Sequence, residues 1–379
     1  MNIGFKNIIK QIALKTLEGY RRFLLLCHGY STKGIMPRGV LCSVEDPTET
    51  ITHGDVVHPC VKYIKDGFEG HKWWMVYTPF YAEKDMLENP RLCYSDVPEG
   101  ELPTEWTFYC IIADKPEKGY NSDPVMFSRD GQLYIFWREC NTHRAQKEGC
   151  NMLTVGCMVK GKQIIHFSTP QLMEFSSSVD KEVSPTIIPH SGTYRAYAVH
   201  LGFVPNYIYH LPSSIGSKLY RYKIVYLIDA LGICDINKSY GVAIWDSDTL
   251  DQTFHYVKTV QFEKSSKCYQ PWHMEVFEDI SNKDNVLFAV VQTRQRHGRI
   301  CLAKSEDRET FHFYKQPLMT SKTAGLLGLY KSSVAQVGSE FYLFYTAVDS
   351  KDNNLHRLFV TSVSINELKS KLNNYGVQR

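Results

Sequence analysis

Short stretches of apolar, aromatic and β-branched residues alternate with polar turns along this chain, and the alternation recurs as a unit. The clearest instance runs from Asn121-Ser122-Asp123-Pro124-Val125-Met126-Phe127 through Arg129-Asp130-Gly131-Gln132 to Leu133-Tyr134-Ile135-Phe136-Trp137-Arg138-Glu139. It reads as a polar opening, a short strand, an Asp-Gly hairpin turn and a second strand. Asp123 precedes a proline at a strand start, where proline is tolerated and the residue before it is expected to be extended. Similar units open at His58-Pro59, Ser184-Pro185, Trp272-His273 and Leu329-Tyr330.

Each opening is followed by further strand-like runs, such as Lys72–Pro79 and Trp106–Ala113 in the first unit and Met152–Val159 in the second. Openings at positions 59, 124, 185, 273 and 329 are spaced by 65, 61, 88 and 56 residues. About 60 residues suits one four-stranded sheet, and a Tyr-, Pro- and Ser-rich insertion around 204–217 accounts for the long step. The pattern predicts an all-β fold, a five-bladed β-propeller over 55–379 that ends in a short helix, Asn366–Leu372. In such a ring the first strand of every blade lines the axis, so the five openings converge on one funnel. Ahead of it, residues 1–54 read as an N-terminal helix and an irregular lead-in with one strand, Gly39–Val44. Phe5, Ile8, Ile9, Ile12, Ala13, Leu17, Tyr20 and Leu24 fall at helical spacing, with Lys6, Lys10, Lys15, Arg21 and Arg22 mostly elsewhere. Such a basic amphipathic helix docks on a partner or an envelope, or packs on its own domain.

Composition narrows the function classes. Lys and Arg number 43 against 40 Asp and Glu, too near balance to argue for nucleic acid as a partner. The 24 Tyr, 19 Phe and 6 Trp suit β-strands and also surfaces that stack on sugars. Eleven cysteines show no CxxC and lie mostly in apolar runs, so reduced, structural thiols and folding in a reducing compartment are expected. No stretch approaches the ~18–20 apolar residues of a membrane span. The run Phe23-Leu24-Leu25-Leu26-Cys27 is shorter than a signal h-region, so no cleavable signal is expected.

The openings His58-Pro59, Glu88-Asn89-Pro90, Ser122-Asp123-Pro124 and Trp272-His273-Met274-Glu275, set in this repeat, resemble the five-bladed propeller glycosidases of glycoside hydrolase family 43 and its relatives in families 32 and 130. The resemblance covers roughly residues 55–365. It implies a carbohydrate-active enzyme, a glycosidase acting on a bacterial surface polysaccharide or oligosaccharide, with Asp123 as a site carboxylate and Glu275 by position. Those families usually open the first blade with a catalytic aspartate. Here His58 stands there, so no base is obtained from blade one.

Glycoside hydrolysis needs two carboxyl groups flanking one bond, about 5 Å apart for retention and roughly 6.5–9.5 Å for inversion. Asp123 and Glu275 are the expected catalytic pair, with His58, Glu88, Arg138, Glu139, His273, Tyr81 and Lys331 as substrate-binding residues. Asp123 could equally cap turns around a wet axis. His58 and His273 could hold a metal with Asp123, bind a sugar carboxylate, or serve as acid and base in a lyase. No HxxxH spacing strengthens the metal case, and no cofactor is expected beyond a structural ion on the axis. Arg138 and Lys331 could pair with an acidic sugar, and Tyr77, Tyr81 and Trp74 could stack on rings or fill the core. The alternatives to a hydrolase are a non-catalytic glycan-binding or assembly module, associated with a phage or an envelope, and a polysaccharide lyase.

Overall fold

The computed structural model describes residues 29–48, 55–80, 85–150, 152–171, 182–201, 240–260, 271–278, 286–293, 298–349 and 355–373. The helix expected over 1–27 and the insertion around 204–217 lie outside this set, scattered positions apart, as does Tyr81. The structure is mainly β, and five sheets follow one another along the chain as the blades of a propeller. Blade I is Val56–Phe68, His71–Pro79, Arg91–Ser95 and Glu105–Ile111. Blade II is Tyr120–Arg129, Gln132–Cys140, Met152–Lys160 and Gln163–His166. Blade III is Glu182–His190, Thr193–Leu201, Tyr240–Ser247 and His255–Val260, and blade IV is Pro271–Glu278, Leu287–Thr293, Arg299–Ser305 and His312–Phe313. Blade V takes Gly328–Val337, Glu340–Val348 and His356–Ser364 from the end of the chain, followed by the helix Ile365–Asn373.

Blade V is completed from the other end of the sequence. The single strand expected over Gly39–Val44 is broken at Cys42. Val40–Leu41 pairs antiparallel with Phe359–Val360 as the outermost strand of blade V. Ser43–Glu45 pairs parallel with Glu105–Thr107 on the outer edge of blade I. Six residues thus clasp the last blade to the first and remove two open edges at once. Asp46 locks the clasp, its carboxylate meeting Arg91 Nη1 at 2.5 Å and accepting from the Tyr77 hydroxyl at 2.8 Å. At Gly39 a Cβ would stand 2.7 Å from the Val360 carbonyl oxygen, so Gly39→Ala must push the clasp off its strand. We expect a loss of about 1–3 kcal/mol in urea unfolding; an unchanged midpoint would show that closure here adds nothing.

Apolar faces of neighbouring blades pack sheet on sheet, and the core consists of these inter-blade layers. One layer joins Trp74, Leu92, Met126, Ile135, Phe136 and Trp245 across blades I to III. Others join blades III and IV through Tyr197, Val242, Val276 and Phe311, and blades V and I through Trp73, Trp106, Tyr342 and Phe344. Trp74 and Tyr77 are fully buried and belong to this core, which rules them out as sugar platforms. All described cysteines are free thiols. No helix among the described residues is long and apolar enough to cross a membrane.

The recurring opening has a physical cause. The pairing of the first strand with the second slips between Val57 and Cys60, Ser122 and Val125, Val183 and Thr186, Pro271 and His273, and Leu329 and Ser332. Every blade therefore carries a β-bulge in its inner strand at the sequence motif. A bulge tolerates a proline without a lost ladder bond and re-aims the neighbouring side chain. His58 and Asp123, expected to be extended, instead have φ of 55° and 51°. This left-handed conformation is strained for residues other than glycine and persists only where surrounding contacts enforce it.

Candidate active site at the propeller mouth

Inner strands start, second strands end and third strands start at the same end of the ring. That end gathers His58, Asp123, His273 and Tyr330 from inner strands, and Thr78 and Arg138 from second strands. Glu88, just ahead of a third strand, and His356, which begins one, join them. The bulges turn the inner-strand residues toward the axis.

His58, Glu88, Asp123 and His273 are all buried, and His58 lies against each of the other three. His58 Nδ1 lies 3.0 Å from Glu88 Oε2, and that oxygen also accepts from Ser122 Oγ at 2.6 Å and Thr78 Oγ1 at 3.2 Å. Carboxylate oxygens thus face both ring nitrogens of His58, Glu88 at Nδ1 and Asp123 at Nε2. Nε2 lies 3.1 Å from Asp123 Oδ1 and within hydrogen-bond distance, 3.0 Å, of the Tyr330 hydroxyl. His273 Nδ1 is 3.7 Å from the same Asp123 oxygen. One ligand atom each from His58, Asp123 and His273 lies within 4.8 Å of the others.

Electrostatics set the protonation of this triangle. Burial alone would raise the Asp123 carboxyl, but the Arg138 guanidinium, 2.5 Å from Oδ2, together with His58, His273 and Lys331 outweighs it and holds Asp123 far below the usual carboxylate range. Burial pushes the His273 imidazole well below its ordinary value, so it stays neutral. Burial likewise raises the Tyr330 phenol, which keeps its proton. Two imidazoles and one carboxylate make a donor set that suits a divalent cation with open positions. The carboxylate behind His58 is the outer partner such histidine ligands require.

The other expected site residues fall elsewhere. Glu275 lies two residues beyond His273 on its inner strand, where its oxygens meet Lys62 Nζ at 2.6 Å and the Val334 N–H at 3.2 Å. Its neighbours Lys62 and Val334 are each four residues beyond His58 and Tyr330 on their own strands. The three form a second layer further along the axis. Lys331 Nζ donates to the Pro124 carbonyl at 2.9 Å, and burial lowers its ammonium. Glu139 accepts from Thr142 Oγ1 at 3.4 Å, with burial raising its carboxyl. Successive strand residues point to opposite faces, so Glu139 leaves the axis where Arg138 enters it. The sequence reading gave no role to Tyr330, Thr78, Asp55 or His356. Tyr330 carried a signal, since it stands at a blade opening. His356 and Asp55 carried none.

His356 is 14% exposed at its side chain, with Nδ1 3.9 Å from Asp55 Oδ1. Burial is the main cause that lowers its imidazole to about 4. Unfolded, it would titrate near 6.5, so the unfolded chain binds the extra proton between these values. Stability should therefore be full above about pH 6.5 and fall toward pH 4, by up to about 3 kcal/mol from this group. Urea midpoints at pH 7.5 and 4.5, for wild type and His356→Gln, read this directly. Equal slopes in both proteins would remove His356 as the cause.

No protein-family model matches the chain, and no curated protein matches it in sequence. Solved structures do match in fold. An N-acetylgalactosamine deacetylase from F. plautii, in complex with blood group B trisaccharide, superposes with TM-score 0.60 at 16% identity, over 90% of this chain and 98% of that one. A family 43 β-xylosidase/α-arabinofuranosidase from a compost microbial metagenome, in complex with xylotriose, gives 0.52 at 14% identity, over 86% and 95%. An exo-1,5-α-L-arabinanase from a bovine ruminal metagenomic library gives 0.51 at 10%, over 81% and 92%. At these identities the likeness shows the architecture: this chain has the five-bladed propeller fold of those enzymes.

Proposed function

We propose that the chain is a carbohydrate-active hydrolase in which His58, Asp123 and His273 hold a divalent cation, and that it removes an acyl group from a sugar. The observation that carries this reading is the convergence of three buried ligand atoms, with the Glu88 carboxylate behind one of them. When bound, such an ion supplies Lewis acidity toward an acyl oxygen and acidifies water. The net reaction adds hydroxyl to the acyl carbon and a proton to the sugar nitrogen or oxygen. Within it, Arg138 keeps Asp123 ionised, Glu88 orients His58, and the Tyr330 hydroxyl donates a hydrogen bond to charge developing on the acyl oxygen. The deacetylase among the structural neighbours is compatible with this chemistry.

The second reading is glycoside hydrolysis by Asp123 and Glu275, which both stand on inner strands, of blades II and IV. It requires Glu275 to exchange its contacts with Lys62 and Val334 for substrate. Products separate the two. A panel of N-acetylated, O-acetylated and unsubstituted oligosaccharides is incubated with the protein, and acetate and new reducing ends are both measured. Acetate release, abolished by chelator and restored by Zn²⁺ or Mn²⁺, is expected. Reducing ends that appear regardless of chelator would replace this reading with the carboxylate pair, and binding without any product would leave a glycan-binding module. Glu88→Gln should weaken the metal about 10–100-fold while the fold survives. Metal titration followed by calorimetry checks that figure, and undiminished affinity would discard the outer-partner role.

A further inference from the structure

The rim above the buried triangle is chemically two-sided. Trp272, Tyr330, His356 and Phe80 are half-buried and follow one another across blades IV, V and I. The Trp272 ring stands 5.8 Å from His273, and its indole N–H bonds to the Tyr330 hydroxyl. Tyr330 lies 5.0 Å from His273 and 5.2 Å from His58, His356 lies 5.8 Å from Tyr330, and Phe80 lies 5.2 Å from His356. Rings on three successive blades thus form an arc whose inner edge touches the ligand histidines. Facing it from blade II is Arg138, which is paired with Asp123.

We infer that this arc is a sugar subsite, seating the face of an uncharged pyranose ring and placing its substituent over the His58–Asp123–His273 triangle. Resting on the acyl-hydrolase reading, the inference adds the class of sugar. Aromatic faces recognise the C–H face of a pyranose, and a polar imidazole at the rim can exchange hydrogen bonds with hydroxyls. Asp55 fixes His356 by accepting its backbone N–H at 2.7 Å. An acidic sugar would need a cation free to meet it. Among the described residues, the buried side-chain cations of the centre are taken up internally, Arg138 by Asp123 at 2.5 Å and Lys331 by the Pro124 carbonyl at 2.9 Å. The inference is therefore of a neutral sugar rather than an acidic one paired with Arg138 and Lys331.

Saturation-transfer NMR on the full chain, with N-acetylgalactosamine and galacturonate as probes, tests the subsite without requiring turnover. Binding of N-acetylgalactosamine by wild type is expected, about tenfold weaker in Phe80→Ala and in His356→Ala. His356→Gln should recover part of the loss, because the amide can still exchange hydrogen bonds. Galacturonate should bind about tenfold more weakly than the neutral sugar. The subsite is overturned if neither sugar binds, if galacturonate binds as well, or if both arc variants bind like wild type. Binding that follows the arc while no acetate is released in the product assay would sink the acyl-hydrolase reading alone.

Discussion

His273→Gln is expected to abolish turnover, by about 10³-fold or more, while the protein stays folded. Under the proposed reading the loss follows from removing one of three residues that would hold the cation and so the Lewis acidity it would supply, a contribution of several kcal/mol to the barrier. His273 is the informative ligand to change because it is neutral and buried, so its loss strands no charge. Asp123→Asn should be as inactive but less stable, since it leaves the Arg138 guanidinium in a largely buried place without its counter-ion. Metal content by mass spectrometry, turnover and the urea midpoint together separate the cases. An inactive His273→Gln that still binds one equivalent of metal would place the ion elsewhere. An active one would leave the triangle without a part in the chemistry.

The largest stability effect should come from the second layer of the axis. Lys62 is 27% exposed and Glu275 7%, at 2.6 Å. Burial depresses the Lys62 ammonium, and Glu275 more than reverses this, leaving it raised. Lys62→Met leaves the Glu275 carboxylate buried with the Val334 N–H as its described donor, a change that costs about 3–5 kcal/mol. The double change Lys62→Met with Glu275→Leu should recover most of that loss, because a well-packed apolar pair removes the stranded charge. Urea unfolding of the four proteins gives the coupling. Additive single effects would mean that the pair is not the reason. Specific activity per folded molecule should hold in Lys62→Met under the metal reading and collapse in Glu275→Gln under the carboxylate-pair reading.

The fold was legible because its repeat is local. An opening, a hairpin turn and an aromatic strand lie within about twenty residues, and the bulge that makes each opening recur writes itself into the sequence as a polar residue beside a proline or an aromatic. His58, Asp123 and His273 were legible for the same reason, each standing at such an opening, whereas Glu88 and Arg138 reach the mouth from just ahead of a third strand and from a second strand. What the residue types could not show was direction. Glu275 looks like a partner for Asp123, but two residues along an inner strand move it into another layer, against Lys62. Glu139 sits beside Arg138 and points away. Asp55 and His356 are about 300 residues apart in sequence, joined across the seam between the first and last blades. No local pattern encodes such a meeting.

That seam also governs how the molecule comes into being. Val40–Leu41 leaves the ribosome early, while its partner Phe359–Val360 emerges roughly 320 residues later. Closing a loop of that length costs about 5 kcal/mol in chain entropy before any ladder bond forms. Until then the outer edges of blades I and V stay open to other chains, and the strained funnel has no ring to hold it. Assembly of the His58–Asp123–His273 cluster is therefore a last event rather than an early one. Refolding should show a slow phase in which sheet signal is already present and the tertiary signal of the mouth is not.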